Sequence, residues 1–295
     1  MIDKILDKIH NKEYLSSLDY EKLLTISEED QIKQLLNTAK DIRDKHSKKV
    51  LLTPTISIKN KTKEEVLDEV KKMEALKIPR VNFFRQYESD HDVITACKLV
   101  KENTNLKTLV NISGEFSFDS IEELSKIGVH TILCNLSTVN NKVFLKNKPK
   151  DTLTQRIKLC QNISKNGIGL SSGLVLGIGE DIHDRLKHLR FLSNYTTLEE
   201  IPIINYNTYP DFPTSEDQII PLPEHLKLIA VTRIMYPELI ITVPTPKFKP
   251  EYYKHYLDAG ANSLATDNII TYEEFRVIIN TIENCGLELA TTTYF

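Results

Sequence analysis

Along this chain the apolar residues pass back and forth between helical spacing and short, nearly continuous runs, and the alternation has about eight beats. An opening helical region covers residues 2–45. The apolar runs that follow predict strands at Lys49–Ile58, Arg80–Phe84, Leu106–Ile112, Val129–Leu136, Ile168–Leu176, Ile201–Tyr206, Leu239–Val243 and Asn262–Thr266. Helical spacing lies between them, over Thr62–Leu76, Asp90–Glu102, Ser117–Ile127, Thr152–Asn166, Asp181–Ser193, Glu224–Met235 and Glu251–Ala259, with Tyr272–Asn284 as a closing helix. Gly128 and Gly167 stop two of these helices, because glycine accepts the left-handed conformation of a C-cap. A proline-rich loop runs from Tyr209-Pro210-Asp211-Phe212-Pro213 through Pro221-Leu222-Pro223.

Strands joined by helices of this length run parallel, and eight of them predict a closed (β/α)8 barrel of the TIM type in preference to an open doubly wound sheet. A chain of 295 residues suffices for one such barrel. The expected organisation is a helical extension over residues 1–45, packed on a single barrel over residues 46–295.

Composition narrows the class. Hydrophobic residues make up 40% and charged residues 27%, as in ordinary globular proteins. The formal charge of -3, without a basic block, argues against a nucleic-acid partner. Met1-Ile2-Asp3-Lys4 opens a charged amphipathic pattern rather than a secretory signal, and no apolar run is long enough to span a bilayer, so a cytoplasmic protein without a membrane partner is expected. The four cysteines, Cys97, Cys134, Cys160 and Cys285, are far apart and read as small core residues, so no metal ligand is assigned. His183 and His188 lack the i,i+4 spacing of a zinc pair. Gly177-Ile178-Gly179 lacks the third glycine of a dinucleotide fingerprint, since position 182 is isoleucine. No catalytic residue is singled out.

In a barrel the functional groups lie at the C-terminal ends of the strands. Asn111, Asn135 and Asn205 each close an apolar strand, where an amide can orient a ligand without adding charge. Gly177 and Gly179 let a backbone come close to a flat ligand, and Glu180 follows them at the start of a helix. Arg85, Glu88, Glu115 and Lys247 make a charged mouth; Asp211 and Asp267 are less specific.

Several stretches, in order across most of the chain, resemble biotin synthase and its radical S-adenosylmethionine relatives. Cys134-Asn135-Leu136-Ser137-Thr138 is similar to that family's Asn-Leu-(Asp/Glu)-Thr strand end, with Ser137 in place of the carboxylate. Thr154-Gln155-Arg156-Ile157 resembles the helix whose arginine meets the methionine carboxylate of the cofactor. Ser172-Gly173-Leu174-Val175-Leu176-Gly177-Ile178-Gly179-Glu180 resembles the adenine-side strand, and Asp184-Arg185 the helix after it. Ile201-Pro202-Ile203-Ile204-Asn205, Ile229 to Pro237 and Gly260-Ala261-Asn262-Ser263 continue the match. One part departs from it: Lys59-Asn60-Lys61-Thr62 leads straight into a helix where the family carries a loop with CxxxCxxC.

The resemblance implies a small-molecule ligand on the C-terminal face, S-adenosylmethionine or another nucleotide-like molecule, held by Asn135, Arg156, Ser172, Gly173, Gly177, Gly179, Glu180 and Asn205. With the cysteine motif missing, an iron–sulfur cluster is not expected, and neither is homolytic cleavage. The implied role is an accessory or differently catalytic component of cofactor biosynthesis, a pseudoenzyme of its family, partnered by an intact radical S-adenosylmethionine enzyme or by a second copy of itself. A non-radical enzyme such as a methyl transferase on the same barrel, and a purely structural subunit, remain open alternatives.

Overall fold

The computed structural model describes residues 2–84, 89–205, 220–245, 250–266 and 270–291. Three helices come first: α1 (Ile2–His10), α2 (Ser17–Thr25) and α3 (Glu29–His46). Strand and helix then alternate: β1 (Lys49–Ile56), α4 (Lys63–Ala75), β2 (Arg80–Phe84), α5 (Asp90–Asn103), β3 (Lys107–Asn111), α6 (Phe118–Ile127), β4 (Thr131–Leu133), α7 (Asn141–Asn147) and α8 (Leu153–Lys165). The second half contains β5 (Gly169–Ser171), β6 (Leu174–Leu176), α9 (Ile182–Leu192), β7 (Leu198–Asn205), α10 (Leu222–Met235), β8 (Ile240–Thr245), α11 (Pro250–Asp258), β9 (Ser263–Thr266), α12 (Tyr272–Asn284) and β10 (Glu288–Leu289).

All strand pairs are parallel, and β9 pairs back onto β1 through Leu51↔Ser263 to Pro54↔Thr266, which closes the sheet into a barrel. The staves are β1, β2, β3, β4, β5 with β6, β7, β8 and β9, while β10 lies outside the ring against β1. The eight expected strands are these staves. The fifth is split, and the cause is local. Pro202 on β7 has no N–H to offer its neighbour, and Gly173 approaches it so closely that a Cβ would lie 1.9 Å from the Pro202 carbonyl oxygen. Regular pairing therefore stops at Ser171↔Glu200 and resumes at Leu174↔Ile203, with Ser172 N still donating to the Glu200 carbonyl at 3.0 Å. α7 and β10 were not legible as periodic segments: both are short.

Helix starts follow from sequence. Thr62 and Glu65 form a capping box at α4, as do Ser89 and Asp92 at α5, Asp181 and Asp184 at α9, and Thr271 and Glu274 at α12. Gly128, with φ 86, ends α6 as expected.

Strand residues divide their side chains between two environments. Val50, Leu52, Val81, Phe83, Val110, Ile132, Leu170, Ile201, Ile241 and Leu264 join the hydrophobic core under the helices. The alternating positions face the barrel axis and mix apolar residues such as Leu51 and Leu109 with polar ones. Arg80 on β2 donates to Thr53 Oγ1 at 3.0 Å and to Glu200 Oε1 at 2.9 Å, and Thr242 Oγ1 donates to the same carboxylate. β2 and β7 lie on opposite sides of the ring, so this contact crosses the interior. Arg80 Nη1, Glu200 Oε2, Ser171 Oγ and Ser263 Oγ have no hydrogen-bond partner among the described residues, which marks a polar interior layer suited to enclosed water.

α3 packs along α10, whose residues from His225 to Ile234 are all buried. A cleft of about 1190 Å³ opens between α1–α3 and the starts of β7 and β8, lined by His10, Tyr14, Lys45, Arg190, Leu198 and Leu239 among others. It lies at the N-terminal ends of those strands, away from the face where barrel chemistry is placed. Among the described residues, no helix is long and apolar enough to cross a membrane.

Candidate functional site

The end of β4 and the break in the fifth stave are tied together by the residues expected to hold a ligand. Asn135 Oδ1 accepts from Ser137 N at 3.0 Å and from Gly173 N at 3.1 Å. Ser172 Oγ accepts from Leu136 N at 3.3 Å, and Ser137 N also reaches the Gly173 carbonyl at 3.1 Å. Asn135, Ser172 and Gly173 thus converge, but much of their hydrogen-bonding capacity knits two strand ends together. Gly173 is a packing glycine, dictated by Pro202.

After β6 the chain turns through Gly177, φ 84, and Gly179, φ 99, conformations that disfavour any residue with a Cβ. Glu180 organises this turn from inside. Its Oε1 accepts from Gly177 N at 3.2 Å and its Oε2 from Ile178 N at 2.9 Å, while Arg185 grips Oε1 through Nε at 3.0 Å and Nη2 at 2.7 Å. Glu180 and Arg185 are both buried, so this carboxylate positions the turn and is not presented to a ligand. At Gly179 a Cβ would meet no heavy atom within 4 Å, so open space stands over the turn. α7 braces it: Asn147 Nδ2 donates to the Ile178 carbonyl at 2.9 Å, and Asn140 Nδ2 to Asp184 at 2.9 Å.

Arg156 has found protein partners. Its Nε donates to Asp151 at 2.6 Å and its Nη1 to the Ile112 carbonyl at 2.9 Å, both near the strand-end face. Gly114 makes room for this pair, since a Cβ there would fall 2.1 Å from Asp151 Oδ1. Beside it, Lys148 Nζ donates to Ser137 Oγ at 3.0 Å and lies 5.4 Å from the centre of the Phe144 ring. Burial, and then the Arg156 guanidinium, push the Lys148 amine down to about 8. Asn205 ends β7 in register with Leu176 and donates to the Ile220 carbonyl at 3.3 Å. Asn111 closes β3, half-buried, and Glu115 is exposed. Arg85, Glu88, Lys247, Asp211 and Asp267 lie outside the described residues.

Lys148 and Asp151 were missed by sequence reasoning. They fall between strand and helix, where no periodicity reports position; the one signal was the unusually long connection from Val139 to Asp151, on the face where barrel loops carry function.

A sequence profile described as the Radical SAM superfamily matches residues 28–192. An uncharacterised protein of Methanocaldococcus jannaschii, MJ0785, is 36% identical over 261 residues, covering 79% of this chain and 70% of that one. Biotin synthase of Thermodesulfovibrio yellowstonii is 28% identical over 179 residues, 60% of this chain and 56% of the enzyme, so the match spans less than two thirds of that relative. The crystal structure of methylornithine synthase (PylB) superposes with a TM-score of 0.84 at 17% identity, covering 98% of both chains, which shows the barrel fold.

These matches correct one expectation. The inference from the missing CxxxCxxC that an iron–sulfur cluster is not to be expected does not stand, because proteins of the matched family and the enzymes it resembles ordinarily bind S-adenosylmethionine together with a [4Fe–4S] cluster. The described side chains fit the two groups differently. Burial pushes the Cys97 thiol up to about 12, Cys134 and Cys160 donate to the main-chain carbonyls of Arg156 and Cys134, and Cys285 ends α12. Among the described residues no three His, Cys, Asp or Glu side chains are grouped to hold a metal, so these residues do not supply a three-thiolate site. Of the residues expected to hold the organic cofactor, Gly179 is exposed with open space at its Cβ position, and the Asn135 and Asn205 amides are half-buried.

Proposed function

The chain belongs to the Radical SAM superfamily, and from that premise we propose that it binds S-adenosylmethionine, or a closely related nucleoside, across the ends of β4, β6 and β7 and serves a step of cofactor biosynthesis. The observation that carries this reading is the Gly177–Ile178–Gly179 turn, held by Glu180 and Arg185 and open above Gly179. A turn fixed before the ligand arrives costs little ordering on binding, which favours affinity. Asn135 and Asn205 flank it from neighbouring staves and can hydrogen-bond a purine or ribose edge. When bound, S-adenosylmethionine would supply an activated sulfonium carbon; the protein's part, in this reading, is to hold the adenosyl half in one orientation and away from water.

Calorimetric titration with S-adenosylmethionine and with adenosine tests this. Saturable heat is expected with both, and Asn135→Ala should weaken each by about tenfold, the worth of one or two buried hydrogen bonds. Gly179→Val, which fills the open space, should abolish binding while leaving the helical circular dichroism intact. Absence of saturable heat with either compound removes the proposal.

A further inference from the structure

Resting on the nucleoside reading above, we propose that the barrel interior beneath that ligand is a substrate pocket with two unlike walls, and that it takes an amphipathic molecule. One end of the substrate both donates and accepts hydrogen bonds, as an amide does, and lies against β1, β2 and β3. The other is a hydrocarbon arm against the staves from β4 onward.

The interior has room for it. Near the C-terminal end of every stave one inward position is half-buried, although the strand residue before it is buried. Hydrogen bonds and packing fix which positions point inward. Arg80 reaches Glu200 through the axis, and Asn82, two residues further along β2, donates to Thr55 Oγ1 at 3.0 Å, whereas Val81 and Phe83 between and beyond them pack under the helices. A side chain that points into a closed barrel and still touches solvent marks a void, because a filled barrel core leaves no room for water.

The polarity of these positions divides the ring into two arcs. On the consecutive staves β1, β2 and β3 they are Thr55, Asn82 and Asn111. On the following staves they are Leu133, Val175, Ile204, Pro244 and Ala265. Register keeps each arc together, since Thr55 pairs with Asn82 and Val175 with Ile204. Asn82 sets what the polar arc requires. With its Nδ2 given to Thr55, its buried Oδ1 has no hydrogen-bond partner among the described residues. A buried acceptor without a donor is costly, so this wall favours a ligand that brings an N–H or O–H. The Thr55 hydroxyl, having accepted from Asn82, can still donate, and the Asn111 amide can do both. The apolar arc gains instead from burying hydrocarbon. The nucleoside is placed across the ends of β4, β6 and β7, so the hydrocarbon arm runs beneath it and the amide-like end lies on the opposite wall.

Hexanamide, heptan-2-one and acetamide test this, titrated into the wild-type protein with and without saturating adenosine and followed by saturation-transfer NMR. Heptan-2-one has the shape of hexanamide but carries a methyl group in place of the NH2 donor. Hexanamide is expected to bind about tenfold tighter than heptan-2-one, the worth of one hydrogen bond. Its longer arm should make it about 10- to 100-fold tighter than acetamide. Asn82→Leu should erase the first preference, and Val175→Thr should shrink the second. Equal affinity for hexanamide and heptan-2-one, with adenosine still bound, overturns the polar wall and leaves the nucleoside reading standing. Hexanamide no tighter than acetamide overturns the hydrocarbon wall in the same way. The expected preferences without any binding of adenosine keep the pocket and remove the nucleoside. No binding of any compound overturns both.

Discussion

Two imidazoles are held without charge inside the molecule. His188 on α9 and His225 on α10 are fully or almost fully buried. Burial pushes them down to about 3 and about 4, the second despite a contact of 3.2 Å with the Ile203 carbonyl. In the unfolded chain each titrates near 6.5. The folded values are lower, so the unfolded state binds more protons as pH falls below about 6.5, and stability declines with it. Between pH 6.5 and pH 5 each histidine should remove about 2 kcal/mol. Urea unfolding at pH 7 and pH 5 reads this directly, and His188→Leu should remove roughly half of the loss. Asp19, held down to about 2 by Ser16 and Lys8, contributes its pH dependence below this window. An unchanged pH slope in His188→Leu would show that the imidazole is solvated.

At the scale of elements, the split fifth stave decides the geometry of the face. At the break Gly173 N turns to the Asn135 side chain and Ser172 Oγ accepts from Leu136 N, while Ser172 N keeps its bond to the Glu200 carbonyl of β7. Gly173→Ala places a methyl 1.9 Å from a carbonyl oxygen that belongs to the backbone and cannot swing away. The expected cost is about 3 kcal/mol or more, at or above the usual range for overpacking. Gly179→Ala meets no such neighbour, so its cost is confined to backbone strain of about 1–3 kcal/mol. Thermal unfolding of the two variants should rank them in that order. The reverse ranking would mean that the turn after β6 carries the packing and the break does not.

For the molecule as a whole, the Arg80–Glu200 pair joins opposite walls of the barrel through its axis. Each side chain is nearly fully buried, so removing one partner strands the other charge. Arg80→Met or Glu200→Met alone should cost about 3–5 kcal/mol, and the Arg80→Met/Glu200→Met double variant considerably less than the sum. A double-mutant cycle measured by urea unfolding shows the coupling; simple additivity would indicate that the two groups are separated by solvent.

The alternation of apolar period, with Gly128 at a helix end, was enough to set the eight staves and their order, because periodicity and capping act over a few neighbouring residues. The glycines of the turn after β6 stood out in the sequence, whereas Glu180, expected to meet a ligand, binds the Gly177 and Ile178 amides instead. Partners far apart in the chain were not legible. Nothing near Glu180 distinguishes an outward carboxylate from one turned to Arg185, and nothing near Arg156 tells that Asp151 and the Ile112 carbonyl already occupy it. The missing cysteine motif showed the same limit in another way, since a local deletion spoke too strongly against a cofactor that belongs to the family as a whole. Local pattern determined the elements; closure of the ring, β9 onto β1, decided which polar side chains would meet, because only that step brings the ends of distant strands onto one face.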